Sequence, residues 1–204
     1  MINRIYIRGL YYTVGIIILT LGIALTIHSQ LGTSPFDALL VGLYRTYGLT
    51  IGSWEIVVGF SMIVFNSIAE RRTPELIALF TSLLTGLGID FWYFTLDIWI
   101  LPFDIITMYL FLFAGIIISG LGIAINLQAD FAPNPFDRMM LVTKKLTGMS
   151  IFVSRGILSI LLVIIAFLFN GAIGVGTLII AVFSGFVIQF FMNQVMQFDK
   201  KITS

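Results

Sequence analysis

Pro35-Phe36-Asp37 is answered 100 residues later by Pro135-Phe136-Asp137, and the flanking residues return with it. Gly15-Ile-Ile-Ile18 matches Gly115-Ile-Ile-Ile118, and Leu21-Gly-Ile-Ala24 matches Leu121-Gly-Ile-Ala124. Between residues 15 and 37, 11 of 23 positions are identical to their counterparts at +100. Gly48/Gly148 and Ile51/Ile151 carry the match onward. After a one-residue slip, Ser82-x-x-x-Gly86 aligns with Ala181-x-x-x-Gly185. One unit is therefore written twice, as a first repeat over 1–104 and a second over 105–204, forming one membrane domain.

Composition sets the solvent. Of 204 residues 59% are hydrophobic and 10% charged, against about 25% charged in a soluble domain, and mean hydropathy is +1.07. Stretches such as Gly9–Ile27 and Met108–Leu127 carry no charge and are long enough for a hydrocarbon core that needs roughly 20 helical residues. The expected class is an all-α integral membrane protein, with the lipid bilayer as its first partner. A net charge of +1 with no basic run points away from nucleic acid. With no Cys there are neither disulfides nor thiolate metal sites. One His and no paired carboxylates at a recognisable spacing leave the usual acid, base and nucleophile sets unfilled. The expectation is thus no enzyme, no metal and no cofactor. Arg4 and Arg8 precede an apolar run that lacks a small-x-small cleavage site, so the run reads as an uncleaved first span.

Apolar segments fall at roughly 9–29, 52–69, 75–96, 107–128, 152–169 and 175–197, with shorter segments at 35–47 and 135–147. Thirteen helical residues reach only about 20 Å, too little to cross. Basic residues concentrate on the cytoplasmic side and decide between topologies. With six crossings and a cytoplasmic N-terminus, 10 of the 11 Lys and Arg residues are inside and only Arg45 is outside. Eight crossings would leave 8 of 11 inside. Six crossings and cytoplasmic termini are therefore expected. Each repeat then holds three crossings, an odd number, so the second copy enters upside down, the inverted-topology repeat of many secondary transporters.

Ser34-Pro35-Phe36-Asp37 and Asn134-Pro135-Phe136-Asp137 have the grammar of a helix start: a Ser or Asn cap, Pro at the first helical position and a carboxylate at the third. Each short helix either lies in the interface or dips inward as a re-entrant half-helix. Asp37 and Asp137 are accordingly either caps or carboxylates facing a polar cavity that binds a cation or amine. Ionisable groups within spans are expensive and default to functional candidates. Asp90 is the clearest, and its repeat counterpart after the slip is Gln189. The pair would make an asymmetric polar site for a proton or cation, unless Asp90 only reaches interfacial water. Asn126, aligned with Thr26, can hydrogen-bond across helices. His28, at the end of the first span, reads as a wetted structural residue. Glu55 and Arg155 occupy equivalent positions with opposite charge. Pairing Glu55 with Arg45, and Arg155 with Asp130 or Asp137, would satisfy both.

Leu31-Gly-Thr-Ser-Pro-Phe-Asp-Ala-Leu39, Gly42, Gly48-x-x-Ile51-Gly52 and the later Gly86…Asp90 resemble the YczE/YitT group of small bacterial integral membrane proteins over nearly the whole chain. The second copy departs from the motif, with Phe131-Ala-Pro-Asn134 in place of Leu-Gly-Thr-Ser. The resemblance implies a duplicated, multi-pass protein of the bacterial cytoplasmic membrane, often treated as transporter-like. The leading expectation is a carrier of a small solute, coupled to a proton or cation. The small chain favours a homodimer in that role. The alternative is a non-catalytic membrane partner supporting an export or biosynthetic assembly.

Overall fold

A computed structural model describes residues 4–99, 104–131 and 134–203. Ala132 and Pro133, part of the second motif's departure, lie outside them. Among the described residues the chain is all-helical: α1 (Arg4–His28), α2 (Pro35–Tyr47), α3 (Ile51–Glu70), α4 (Leu76–Trp99), α5 (Ile105–Gln128), α6 (Pro135–Thr147), α7 (Ile151–Leu168) and α8 (Val175–Thr203). α1, α3, α4, α5 and α8 are long and apolar enough to cross a membrane. α7 holds a shorter apolar stretch, Phe152–Leu168. The two short segments expected at 35–47 and 135–147 are helices with those bounds.

The surface is that of a protein in lipid. Phe152, Phe186 and Ile98 are 87%, 73% and 79% exposed, whereas Thr20, Glu55, Thr81 and Ser82 are buried. Where the solvent is hydrocarbon, apolar side chains can face outward, and polar groups must find partners within the protein.

The helices gather into two compact units. One comprises Met1–Ser34, Phe91–Phe131 and Gly174–Ser204, and the other Pro35–Asp90 and Ala132–Ile173. Each draws on both repeats, and α4 contributes its first part to the second unit and its final turns to the first.

In the first unit α1 and α5 pack antiparallel. A Cβ at Gly15 would stand 2.6 Å from the Asn126 nitrogen, and one at Gly22 would stand 2.3 Å from the Ser119 nitrogen. Shifting these pairs by 100 residues gives the other half of the contact: Gly115 meets Thr26, and Gly122 meets Leu19 at 2.3 Å. Only a missing side chain lets backbones approach so closely, the usual device of helix packing in membranes. α8 adds to the same core, where Leu112 and Ile116 of α5 meet Ile180. Arg8 closes the far end of α5, donating from Nε to the Ala129 carbonyl at 2.7 Å and from Nη2 to the Asp130 carboxylate at 2.7 Å. That satisfies a carbonyl otherwise orphaned at a helix end and engages Asp130 away from Arg155.

In the second unit α3 and α4 meet backbone to backbone, since a Cβ at Gly52 would lie 2.0 Å from the Gly86 carbonyl oxygen. α2 packs on α7 and α6 on α3, two pairings that interconvert under the repeat. The contacts follow the same rule: Arg45 donates to the Asn170 carbonyl at 3.0 Å, and its counterpart Lys145 donates to Glu70, beside the counterpart of Asn170, at 2.8 Å. Backbone turns repeat as well, with φ of 59° at Gln30 and 52° at Asp130, and 78° at Gly48 and 71° at Gly148.

Candidate functional site

The second unit has a polar interior. α3 buries Gly52, Glu55, Gly59, Met62, Ile63 and Asn66, a stripe at three- and four-residue spacing that forms one helical face. Glu55 lies on it, 1% exposed. Asp37 of α2 is close enough for its charge to act on Glu55, and Ser82 of α4 stands beside the carboxyl. Glu55 Oε1, Ser82 Oγ, Asn66 Oδ1 and Ser154 Oγ are buried without a hydrogen-bond partner. Asp37 itself is 7% exposed. Leaving a buried polar atom unpaired costs about 1–3 kcal/mol. An unpaired carboxyl oxygen buried within an apolar helix makes Glu55 a candidate for function.

The N-termini of the two short helices meet here. Asn134 accepts from the Phe136 N–H at 2.9 Å, with Pro135 at the first helical position, the cap the sequence predicts. Phe36 and Phe136, equivalent residues of the two copies, stack with ring centroids 5.8 Å apart and planes at 24°. The Pro-Phe-Asp segments are therefore drawn together, with Asp37 and Asp137 each adjoining the stacked pair. Lost hydration raises the Asp137 pKa above its ordinary value, and the charge of Arg155 opposes the rise. Of the partners expected for Arg155, Asp137 is the one that feels it. The expected pairing of Glu55 with Arg45 is not made: Arg45 serves the Asn170 carbonyl, and Glu55 stays inside.

The other candidates have local partners of their own. Asp90 accepts from Thr50 Oγ1 at 2.6 Å through Oδ2 and from the Gly52 N–H at 2.7 Å through Oδ1. Thr50 is the N-cap of α3, so Asp90 reinforces a helix start where free N–H groups and the helix dipole favour negative charge. Gln189 belongs to the other unit, where it is exposed and donates to Asn193 one turn along α8. Asn126, also in that unit, packs over Gly15 and donates to the Tyr12 carbonyl at 3.3 Å. His28 is buried rather than wetted, 5% exposed. Its Nδ1 lies 2.9 Å from the Ala24 carbonyl and its ring packs on Tyr93. Among the described residues no group of three or more His, Cys, Asp and Glu side chains could hold a metal ion.

Glu55 is the residue that sequence reasoning assigned to a surface ion pair with Arg45 rather than to the interior. Its signal was the glycine spacing around it, Gly52-x-x-Glu55-x-x-x-Gly59, which places the acid on the face of closest helix approach.

At the far end of α3 a cavity of about 250 Å³ opens between this helix and the start of α6. Arg138 bridges Glu70 and Glu75 there at 2.8 Å each, and Lys145 reaches Glu70 at 2.8 Å.

Comparison with known proteins places the chain among relatives of matching length. Residues 6–193 match the family of unknown function DUF6198. The chain is 42% identical to the uncharacterized protein YyaS of Bacillus subtilis, over 91% of this chain and 92% of that one. It is 32% identical to the uncharacterized membrane protein YczE of the same organism, over 96% and 90% of the two chains. An uncharacterized protein of Haemophilus influenzae is 28% identical over 86% of this chain and 79% of its own. No solved structure matches. With an all-helical fold, several helices fit to cross a bilayer and this match along nearly its full length, the chain belongs to the DUF6198 family of YczE-like small membrane proteins.

Proposed function

We propose that this protein is a carrier of a small solute, coupled to a proton or monovalent cation, in the cytoplasmic membrane. The observation that carries the reading is Glu55, wholly buried in a candidate span beside Asp37, with one carboxyl oxygen unpartnered. Two carboxyl groups close together in a dry interior cannot both be charged cheaply. Such a pair is suited to take up one positive charge and release it. Asp137 follows Phe136 of the stacked Phe36–Phe136 pair and feels the charge of Arg155.

The carrier is read as an inverted repeat of six crossings, 1–104 against 105–204, with both termini cytoplasmic. The antiparallel register of α1 and α5 supports the inversion, and so does the exchange of α2–α7 for α6–α3 contacts under the repeat. The apolar Phe152–Leu168 stretch of α7 spans about 25 Å as a helix, close to the thickness of the hydrocarbon core.

Two experiments test this. The chain has no Cys, so single cysteines at Leu49 and Met149, both exposed, report topology cleanly. Membrane-impermeant maleimide is expected to label them from opposite sides of the membrane, and labelling from the same side removes the inverted repeat. Proteoliposomes loaded with a pH-sensitive dye are expected to acidify or alkalinise beyond empty liposomes when Na⁺, K⁺ or a panel of amines and amino acids is added outside. Flux indistinguishable from empty liposomes across the panel removes the carrier.

A further inference from the structure

We infer that the cavity between the end of α3 and the start of α6 is a binding site for a small zwitterion of the α-amino acid class. The assignment deepens the carrier reading and rests on it for the solute's onward route, but binding itself can be read without transport.

The fixed point is Asn66. It is 5% exposed and lines the cavity. Its Nδ2 donates to the Pro135 carbonyl at 3.3 Å, while Oδ1 is buried and unpartnered. Tying the amide nitrogen to Pro135 leaves the oxygen as the free end, so the missing group is a donor, an N–H or O–H. The rest of the wall supplies charge in balance. Glu70 and Glu75 contribute two carboxylates, and Arg72 and Arg138 two guanidinium groups. Arg138 is committed to both carboxylates and Glu70 also to Lys145. Arg72 makes no close ion pair among the described residues, its charge reaching Glu70 only at longer range, and a guanidinium is the preferred seat for a carboxylate.

An acceptor that lacks a donor, and a guanidinium without a close ion-pair partner, share one chamber whose lining carboxylates and guanidinium groups balance, with Lys145 adding a positive charge at Glu70. A solute with both an ammonium and a carboxylate matches each and leaves the balance unchanged. A simple cation would answer only Asn66, and a simple anion only Arg72. The volume, about 250 Å³, lies a little below the usual range of small-molecule pockets, roughly 300–1,000 Å³, and suits a solute of a few heavy atoms.

The test is ligand-dependent thermal unfolding of the detergent-purified protein, followed by tryptophan fluorescence. The probes are glycine, L-serine, glycine betaine, methylammonium and acetate. Glycine and serine are expected to raise the midpoint saturably. Glycine betaine, a zwitterion without an N–H, and the two single-charge probes are expected to do so at least tenfold less effectively. Asn66→Ala is expected to weaken the glycine effect about tenfold. Arg72→Gln changes an exposed residue, so it provides the same comparison if Asn66→Ala fails to fold. No shift with any probe, a shift equal for betaine and glycine, or wild-type binding in the variant that folds would overturn the site. Binding with these preferences but no flux in proteoliposomes would instead strike the carrier reading.

Discussion

Glu55→Gln is expected to abolish coupled flux while leaving the protein as stable as the wild type, or more so. The amide has nearly the shape of the acid, so the packing of α3 against α2 and α4 is preserved. It cannot, however, release or take up a proton near neutral pH, and it presents no negative charge to a cation. Glu55 is 1% exposed, beside a second carboxyl group, with one oxygen unpartnered. Replacing a buried ionisable group with a neutral isostere removes the cost of ever holding a charge in that apolar interior. A structural acid would behave in the opposite way, because losing a charge that anchors neighbours lowers stability. The measurements are initial flux in dye-loaded proteoliposomes and the unfolding midpoint in detergent. Flux is expected below about a tenth of wild type, equivalent to a barrier raised by at least ~1.4 kcal/mol. Retained flux would dismiss Glu55 from the mechanism, and a large drop in midpoint would return it to architecture.

The largest stability effect is expected at Gly52. A Cβ there would sit 2.0 Å from the Gly86 carbonyl oxygen and 2.7 Å from the Asp90 carboxyl carbon. Neither can yield easily, because Gly86 lies mid-helix and Asp90 is held by two hydrogen bonds at the start of α3. Overpacking a well-filled interior typically costs 1–3 kcal/mol. Here the obstacle is backbone rather than a side-chain tip, so a loss of about 3 kcal/mol or more is expected for Gly52→Ala. The matched control is Gly156→Ala in α7 of the same unit, where nothing lies within 4 Å. That change should be neutral or stabilising by roughly 0.5–1 kcal/mol, since alanine loses less entropy in a helix. Thermal unfolding and the yield of monodisperse protein measure both. Equal midpoints for the two variants would rule out the close α3–α4 contact.

Much of this architecture is written locally. Pro at the first helical position and a capping Asn or Ser announce the two short helices, whose bounds in the structure are those read from residues 35–47 and 135–147. These signals act over three or four residues, so no distant partner is needed to interpret them. The long helices follow from apolar run length for the same reason. Within the polar residues, local reasoning reached Asp37 and Asp137 through their motif. It misjudged Glu55 and Arg45, which lie ten residues apart in sequence but serve different neighbours, the buried α3 face in one case and the end of α7 in the other.

By itself, then, the sequence determined the duplication, the helices and the solvent they face, because repeat identity, caps and hydropathy are properties of short stretches of chain. Tertiary structure alone decided which carboxylates are buried together, which one merely caps a helix, and where a polar chamber remains open. Burial and pairing depend on residues as far as 125 positions away, and a difference of one helical turn or less decides whether an acid faces the interior or the lipid.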